Sequence, residues 1–128
     1  MGRPLRVLIV GDSENELALL LHELRRCNYR PAYERVDTPD AMTSALDRQT
    51  WDIILADYNM PHFTTIAALT LLKNRGLDLP FIIVNARIGE DTVVTAMKAG
   101  ARDYIIKGDL QRLIPVIERE LREVEDRY

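Results

Sequence analysis

Two aspartates and a lysine, Asp12, Asp57 and Lys107, stand at matching places in this chain. Each follows an apolar run: Val7-Leu8-Ile9-Val10 leads through Gly11 to Asp12, Ile53-Ile54-Leu55-Ala56 to Asp57, and Tyr104-Ile105-Ile106 to Lys107. Short Val/Ile/Leu runs separated by helix-like stretches predict parallel strands buried on both faces, and ligands of such sheets bind just beyond the carboxyl ends of the strands. Two carboxylates about 4 Å apart repel by roughly 4 kcal/mol at an effective dielectric of 20, so one must protonate unless a cation lies between them. Mg²⁺ answers this: it takes oxygen ligands at about 2.0–2.1 Å and keeps several waters when a protein supplies one or two carboxylates, leaving positions for a phosphate oxygen. Asp57 is the candidate nucleophile of such phosphoryl chemistry. Lys107 is the candidate point charge for the transferred group or for the ionised Asp57.

Five strands and five helices must position these residues. The strand candidates are Leu5–Val10, Ala32–Val36, Ile53–Ala56, Phe81–Val84 and Asp103–Ile106, with helix-period segments between them. Leu17, Leu20, Leu21 and Leu24 form one apolar stripe, and Ser13 with Glu16 three residues on is a capping box that starts the first helix. Thr38-Pro39 opens the second helix. The third is predicted from Thr64 or Thr65 to Arg75 with Gly76 as its stop, and the fourth from Asp91 to Ala99 with Gly100 as its stop. Pro80 marks the start of the fourth strand, and Asp109 has the character of an N-cap, followed by a restart near Pro115.

In the strand order 2-1-3-4-5 the Asp12 and Asp57 loops are neighbours; in the dinucleotide-binding order strand 1 neighbours strand 4, and the first loop should carry G-x-G-x-x-G. It reads Gly11-Asp12-Ser13-Glu14-Asn15-Glu16, with one glycine and two glutamates that would repel a pyrophosphate. That speaks against the second order.

The 128 residues, 47% hydrophobic, suit one domain over 1–128. A net charge of −3, with basic residues interleaved among acids, argues against direct nucleic-acid binding. No apolar stretch approaches the roughly 20 residues of a membrane helix, so a cytoplasmic protein is expected. Cys27, the single cysteine, and His22 and His62 are expected to be structural or surface residues, and Trp51 to pack at the lower edge of the sheet. Ile114, Ile117, Leu121, Val124 and Tyr128 are spaced 3, 4, 3, 4. This predicts a final helix, about 115–128, that runs on into a coiled-coil linker of a longer protein; an ordinary core-facing helix is the alternative.

The fragments Val10-Gly11-Asp12-Ser13, Asp57-Tyr58-Asn59-Met60-Pro61, Ile83-Val84-Asn85-Ala86, Ala99-Gly100-Ala101-Arg102-Asp103-Tyr104 and Ile106-Lys107 resemble, in order and spacing, the receiver domain of two-component response regulators. The resemblance runs from about Leu5 to Glu123. It implies an α/β, flavodoxin-like doubly wound five-stranded parallel sheet of order 2-1-3-4-5, with helices on both faces. It further implies that Asp57 accepts a phosphoryl group from the phosphohistidine of a histidine kinase or phosphotransfer protein. Mg²⁺ would be held by Asp12, Asp57 and the backbone carbonyl of Asn59, with Lys107 as the lysine after the fifth strand. Tyr104 matches the aromatic residue whose side chain shifts on phosphorylation and remodels the surface of the fourth helix, fifth strand and fifth helix. Such a domain is a phosphoacceptor switch, not a turnover enzyme, and passes its signal to a linked or separate output domain; pairing of two copies through the fourth or last helix is an open expectation.

Departures from the family pattern qualify the picture. Gly11 stands where the first of two adjacent acids is usual, and Asn85 before Ala86 where the fourth strand usually ends in Ser or Thr. Thr65 and Gly108 replace a common glycine and proline. Arg87, two residues beyond Asn85, is expected to shield the acyl phosphate from water together with the Asn59 side chain. Two rivals remain: a degenerate receiver that binds partners without phosphorylation, motivated by Gly11 and Asn85, and a phosphatase with an aspartyl-phosphate intermediate, motivated by Asp57-Tyr58-Asn59. The second lacks chain length for a cap segment.

Overall fold

The apolar runs form the interior of a parallel sheet in which every strand is followed by a helical crossover. The computed structural model describes residues 2–57, 63–85 and 90–126, with main chain only at 85, 90–92, 107 and 108. Its elements are β1 (Arg3–Val10), α1 (Glu14–Arg26), β2 (Tyr29–Val36), α2 (Pro39–Arg48), β3 (Ile53–Ala56), α3 (Thr65–Asn74), β4 (Phe81–Asn85), α4 (Glu90–Lys98), β5 (Asp103–Ile106), a 3-10 helix (Lys107–Arg112) and α5 (Leu113–Asp126). The sheet order is β2-β1-β3-β4-β5 and all pairings are parallel. Strand order thus reverses between β1 and β3, the topological switch point at which such sheets bind ligands.

Alternate residues of each strand feed two cores, one on each face. Leu8, Val10, Ile54, Ala56 and Ile83 pack with Met42, Leu69 and Ala96, whereas Val7, Ile9, Leu55, Val84 and Ile105 pack with Leu24, Leu113 and Ile117. Because Val7–Val10, Ile53–Ala56 and Phe81–Val84 are covered on both sides, these stretches are continuously apolar instead of alternating. Fully burying each such aliphatic side chain stabilises the fold by about 1.5–3 kcal/mol.

The helix starts follow the expected caps. Ser13 Oγ accepts from the Glu16 amide at 3.3 Å, Thr38 Oγ1 from Ala41 at 3.1 Å and Thr64 Oγ1 from Ala67 at 3.1 Å. Gly76 and Gly100 have φ of 68° and 117°, the positive values that make them helix stops. Trp51 is buried below the sheet and donates to the Ala45 carbonyl at 3.0 Å. His22 is exposed, and half-buried Cys27 lies 3.9 Å from a Glu23 carboxylate oxygen.

Several boundaries differ from the sequence expectation, β4 by running on to Asn85 and α3 by ending at Asn74 among them. β1 begins at Arg3 and β2 at Tyr29, ahead of Leu5 and Ala32, because the two pair in register from Arg3↔Tyr29 onward. Pro31 sits inside β2 without cost to the sheet since β2 is an edge strand, where a missing amide need not face a neighbour. The fourth helix covers Glu90–Lys98, one residue earlier at each end than Asp91–Ala99. Asp109 is not a helix cap: it lies inside the kinked 3-10 segment at φ −128°, ψ 43°, and its carboxylate accepts from the Gln111 side chain at 3.0 Å. α5 then starts at Leu113, two residues ahead of Pro115, and tolerates the proline because first-turn amides have no intrahelical acceptor.

Ile114 and Ile117 of the proposed seam are buried against the sheet, and Leu121 packs beside them. That half of the seam faces the core, which is the alternative reading of the pattern. Tyr128 lies outside the described residues.

Candidate functional site at the carboxyl edge of the sheet

Strand register builds the site. Val10 pairs with Ala56, so Gly11-Asp12 and Asp57 leave the sheet side by side at the switch point. The Asp57 amide donates to the Val10 carbonyl at 2.8 Å, extending the ladder to the acid itself. Ala56 pairs with Ile83, Val84 with Ile105 and Asn85 with Ile106, which sets the Asn85 main chain one residue above the level of Asp57. The main chain of Lys107 follows directly as the first residue of the 3-10 helix.

Asp57 is half-buried and Asp12 exposed. The Thr65 hydroxyl, itself buried at the first residue of α3, lies 3.5 Å from the Asp57 carbonyl. Gly11 is buried, and a Cβ built on it would meet the Asp57 Cβ at 3.5 Å, an ordinary contact distance. A side chain at position 11 would therefore stand beside Asp57. Between α1 and the sheet a narrow cavity of about 20 Å³ has Leu17, Leu55, Val84 and Leu110 in its walls together with Gly11 and Asp57.

The donor set fits a hard cation held by few protein ligands. Asp12 and Asp57 contribute ionisable oxygens from adjacent strand ends, and the exposure of Asp12 leaves room for coordinated water. Among the described residues no group of three or more His, Cys, Asp or Glu side chains gathers as a metal cage, consistent with glycine at position 11. Asn59, Ala86, Arg87 and His62 lie outside the described residues, and Asn85 and Lys107 are described by main chain only.

Tyr104 is half-buried on β5, beside Ile83 in register, and packs on the core formed with α2, α3 and α4. Apolar side chains are also exposed on these elements: Val94 and Met97 on α4 and Ile106 on β5 are each at least 40% exposed. One residue with no place in the sequence reading is Arg35, whose guanidinium reaches the acid loop; a charged side chain at the carboxyl end of a strand candidate was the available signal.

Comparison with known proteins agrees with this geometry. The response regulator receiver domain model matches residues 7–118. The transcriptional regulatory protein PrrA of Mycobacterium tuberculosis is 35% identical over 102 residues, covering 80% of this chain and 43% of PrrA. ZraR of Salmonella typhimurium is 32% identical over 116 residues, covering 90% of this chain and 26% of its own. CheY1 of Helicobacter pylori, a chemotaxis protein, is 26% identical over 105 residues, covering 80% of this chain and 85% of its own. Among solved structures, full-length FixJ from B. japonicum superposes with a TM-score of 0.82 at 24% identity, over 94% of this chain and 59% of FixJ. The receiver domain of a signal transduction histidine kinase from Syntrophus aciditrophicus gives 0.76 at 27% identity, over 94% and 92%.

This chain belongs to the response regulator receiver domain family of two-component systems, with the flavodoxin-like fold. It spans less than half the length of PrrA and ZraR. No helix among the described residues is long and apolar enough to cross a membrane.

Proposed function

We propose that the chain is a phosphoacceptor switch of a cytoplasmic two-component phosphorelay, taking a phosphoryl group on Asp57 from the phosphohistidine of a histidine kinase or phosphotransfer protein. The observation that carries this reading is the side-by-side exit of Asp12 and half-buried Asp57 at the switch point. An Asp57 carboxylate oxygen attacks phosphorus as the P–N bond to the donor imidazole breaks, and the imidazole leaves with the electron pair. Asp12, Asp57 and the Asn59 carbonyl would hold Mg²⁺, which when bound would supply positive charge for the phosphoryl oxygens. The ladder bond from Asp57 to Val10 fixes the nucleophile's main chain. Lys107 supplies positive charge beside the acyl phosphate, Asn85 an amide donor and Ala86 the small residue after it. Arg87 and Asn59 shield the phosphoryl group from in-line water.

The signal passes through Tyr104. Its ring is half-buried, and exposed Val94 and Met97 on α4 and Ile106 on β5 offer a surface on which an output domain or a second copy would read the change. α5 carries the connection onward, with Val124 half-exposed near its end, toward a coiled-coil linker.

The second reading, a degenerate receiver that binds partners without phosphorylation, is favoured by Gly11 alone beside Asp57 where a further acid would fit. Incubation with Mg²⁺ and a small phosphodonor, followed by intact mass measurement, separates the two. A gain of one phosphoryl mass that Asp57→Asn abolishes supports the switch; an unchanged mass supports the degenerate receiver.

A further inference from the structure

Gly11 immediately precedes Asp12, and both of its main-chain polar groups are gripped by the end of β2. Its amide donates to the Val36 carbonyl at 2.9 Å. Its carbonyl accepts from Arg35 Nη1 at 3.0 Å, and the same guanidinium nitrogen lies 3.8 Å from an Asp37 carboxylate oxygen. The Arg35 side chain is 28% exposed, so this is a partly desolvated contact between a charged donor and a main-chain acceptor, the stronger kind of hydrogen bond. Asp37 offsets the positive charge, and the loop gains a donor with little field opposed to a bound cation.

Glycine loses more conformational freedom on ordering than any other residue. Gly11 does not adopt the positive φ that would require glycine, and a Cβ there would meet Asp57 only at contact distance. Its freedom therefore serves no turn and must be removed before Asp12 can stand beside Asp57.

We infer that Arg35 is a positioning residue for the metal site: its grip on the Gly11 carbonyl restrains the glycine hinge and holds Asp12 in place for a divalent cation. The inference rests on the Mg²⁺ reading given above for its second half only. The restraint itself exists without metal.

The test uses ¹⁵N-labelled protein. Arg35→Ala, Arg35→Lys, Gly11→Ala and the double variant Gly11→Ala/Arg35→Ala are compared by amide hydrogen exchange at Asp12 and Ser13 without metal, and by titration with MgCl₂. Loss of one such hydrogen bond should speed exchange at these two amides and weaken Mg²⁺ binding in Arg35→Ala by about fivefold each. Arg35→Lys should recover part of both. In the Gly11→Ala background, where the hinge is already stiffer, the effect of removing Arg35 should fall to about twofold or less. Unchanged exchange at Asp12 and Ser13 in Arg35→Ala overturns the inference, as does an Arg35→Ala effect of equal size in both backgrounds. A lowered melting temperature with unchanged Mg²⁺ affinity would reduce Arg35 to a structural residue and also overturn it. If the unmutated protein binds no Mg²⁺, the metal reading fails, while faster exchange in metal-free Arg35→Ala still upholds the restraint.

Discussion

The Asp57 amide and the Val10 carbonyl, 2.8 Å apart, join the β3 end to the β1 end one residue beyond the last strand pair. This bond holds the two acid-bearing loops level and leaves position 11 facing the Asp57 side chain. With glycine there, the described residues bring two acids, Asp12 and Asp57, to these strand ends, and position 11 adds none.

Gly11→Asp should tighten Mg²⁺ binding by about tenfold, since added carboxylate charge is the main lever on affinity for hard cations. Without metal, the new acid beside Asp57 should lower stability by about 1 kcal/mol through like-charge repulsion. Mg²⁺ titration and denaturant melts with and without MgCl₂ check both signs. A variant that binds no tighter would mean that position 11 does not face the metal.

Glu23 tests pH dependence. It is buried on α1, its carboxylate bonded to Arg26 Nη2 at 2.6 Å and Nε at 3.1 Å. Hydrogen bonding to Arg26 holds its pKa below the ordinary 4.5, against the opposing effect of burial. A depressed folded-state pKa contributes stability that is present above the unfolded value and is lost as pH falls through the folded one. Stability should decline below about pH 4.5, and Glu23→Gln should flatten this part of the denaturation profile.

Glu120 should be a site of stabilising substitution. It is 3% exposed on α5, one carboxylate oxygen bonds Arg119 at 3.1 Å and the other is buried with no hydrogen-bond partner among the described residues. Burial of an incompletely satisfied carboxylate opposes folding, so Glu120→Met should raise stability by about 1 kcal/mol. Arg119 retains Asp103 at 2.9 Å as its other partner. Urea unfolding at pH 7 provides the measurement, and a loss of stability would show that the carboxylate is needed.

Ile54→Ala, at the centre of the sheet, removes a fully buried side chain between β1 and β4. Truncations of this type cost about 2–5 kcal/mol through lost transfer energy and the cavity left behind. The urea midpoint should fall with little change in slope.

The residues that set local structure were legible in the chain. Ser13, Thr38 and Thr64 cap helices because a short side-chain oxygen reaches an amide three residues ahead, and Gly76 and Gly100 stop them because the positive φ is free of steric penalty only for glycine. Val7–Val10 and Ile53–Ala56 declared themselves as doubly covered strands by continuous apolarity. The early start of β2 was hidden because Tyr29 and Arg30 precede Pro31, a residue that argues against a central strand and is harmless on an edge one. Edge position is a property of the whole sheet.

By itself the sequence determined the strand-end chemistry: which runs are buried, and that acids and a lysine follow them. Tertiary structure alone decided that β1 lies between β2 and β3, that position 11 faces Asp57, and that Arg35 reaches back 24 residues to the Gly11 carbonyl. Caps and apolar runs act over a few residues, where neighbours in the chain are neighbours in space. Strand order and the grip on Gly11 depend on segments brought together only by burial of the two cores.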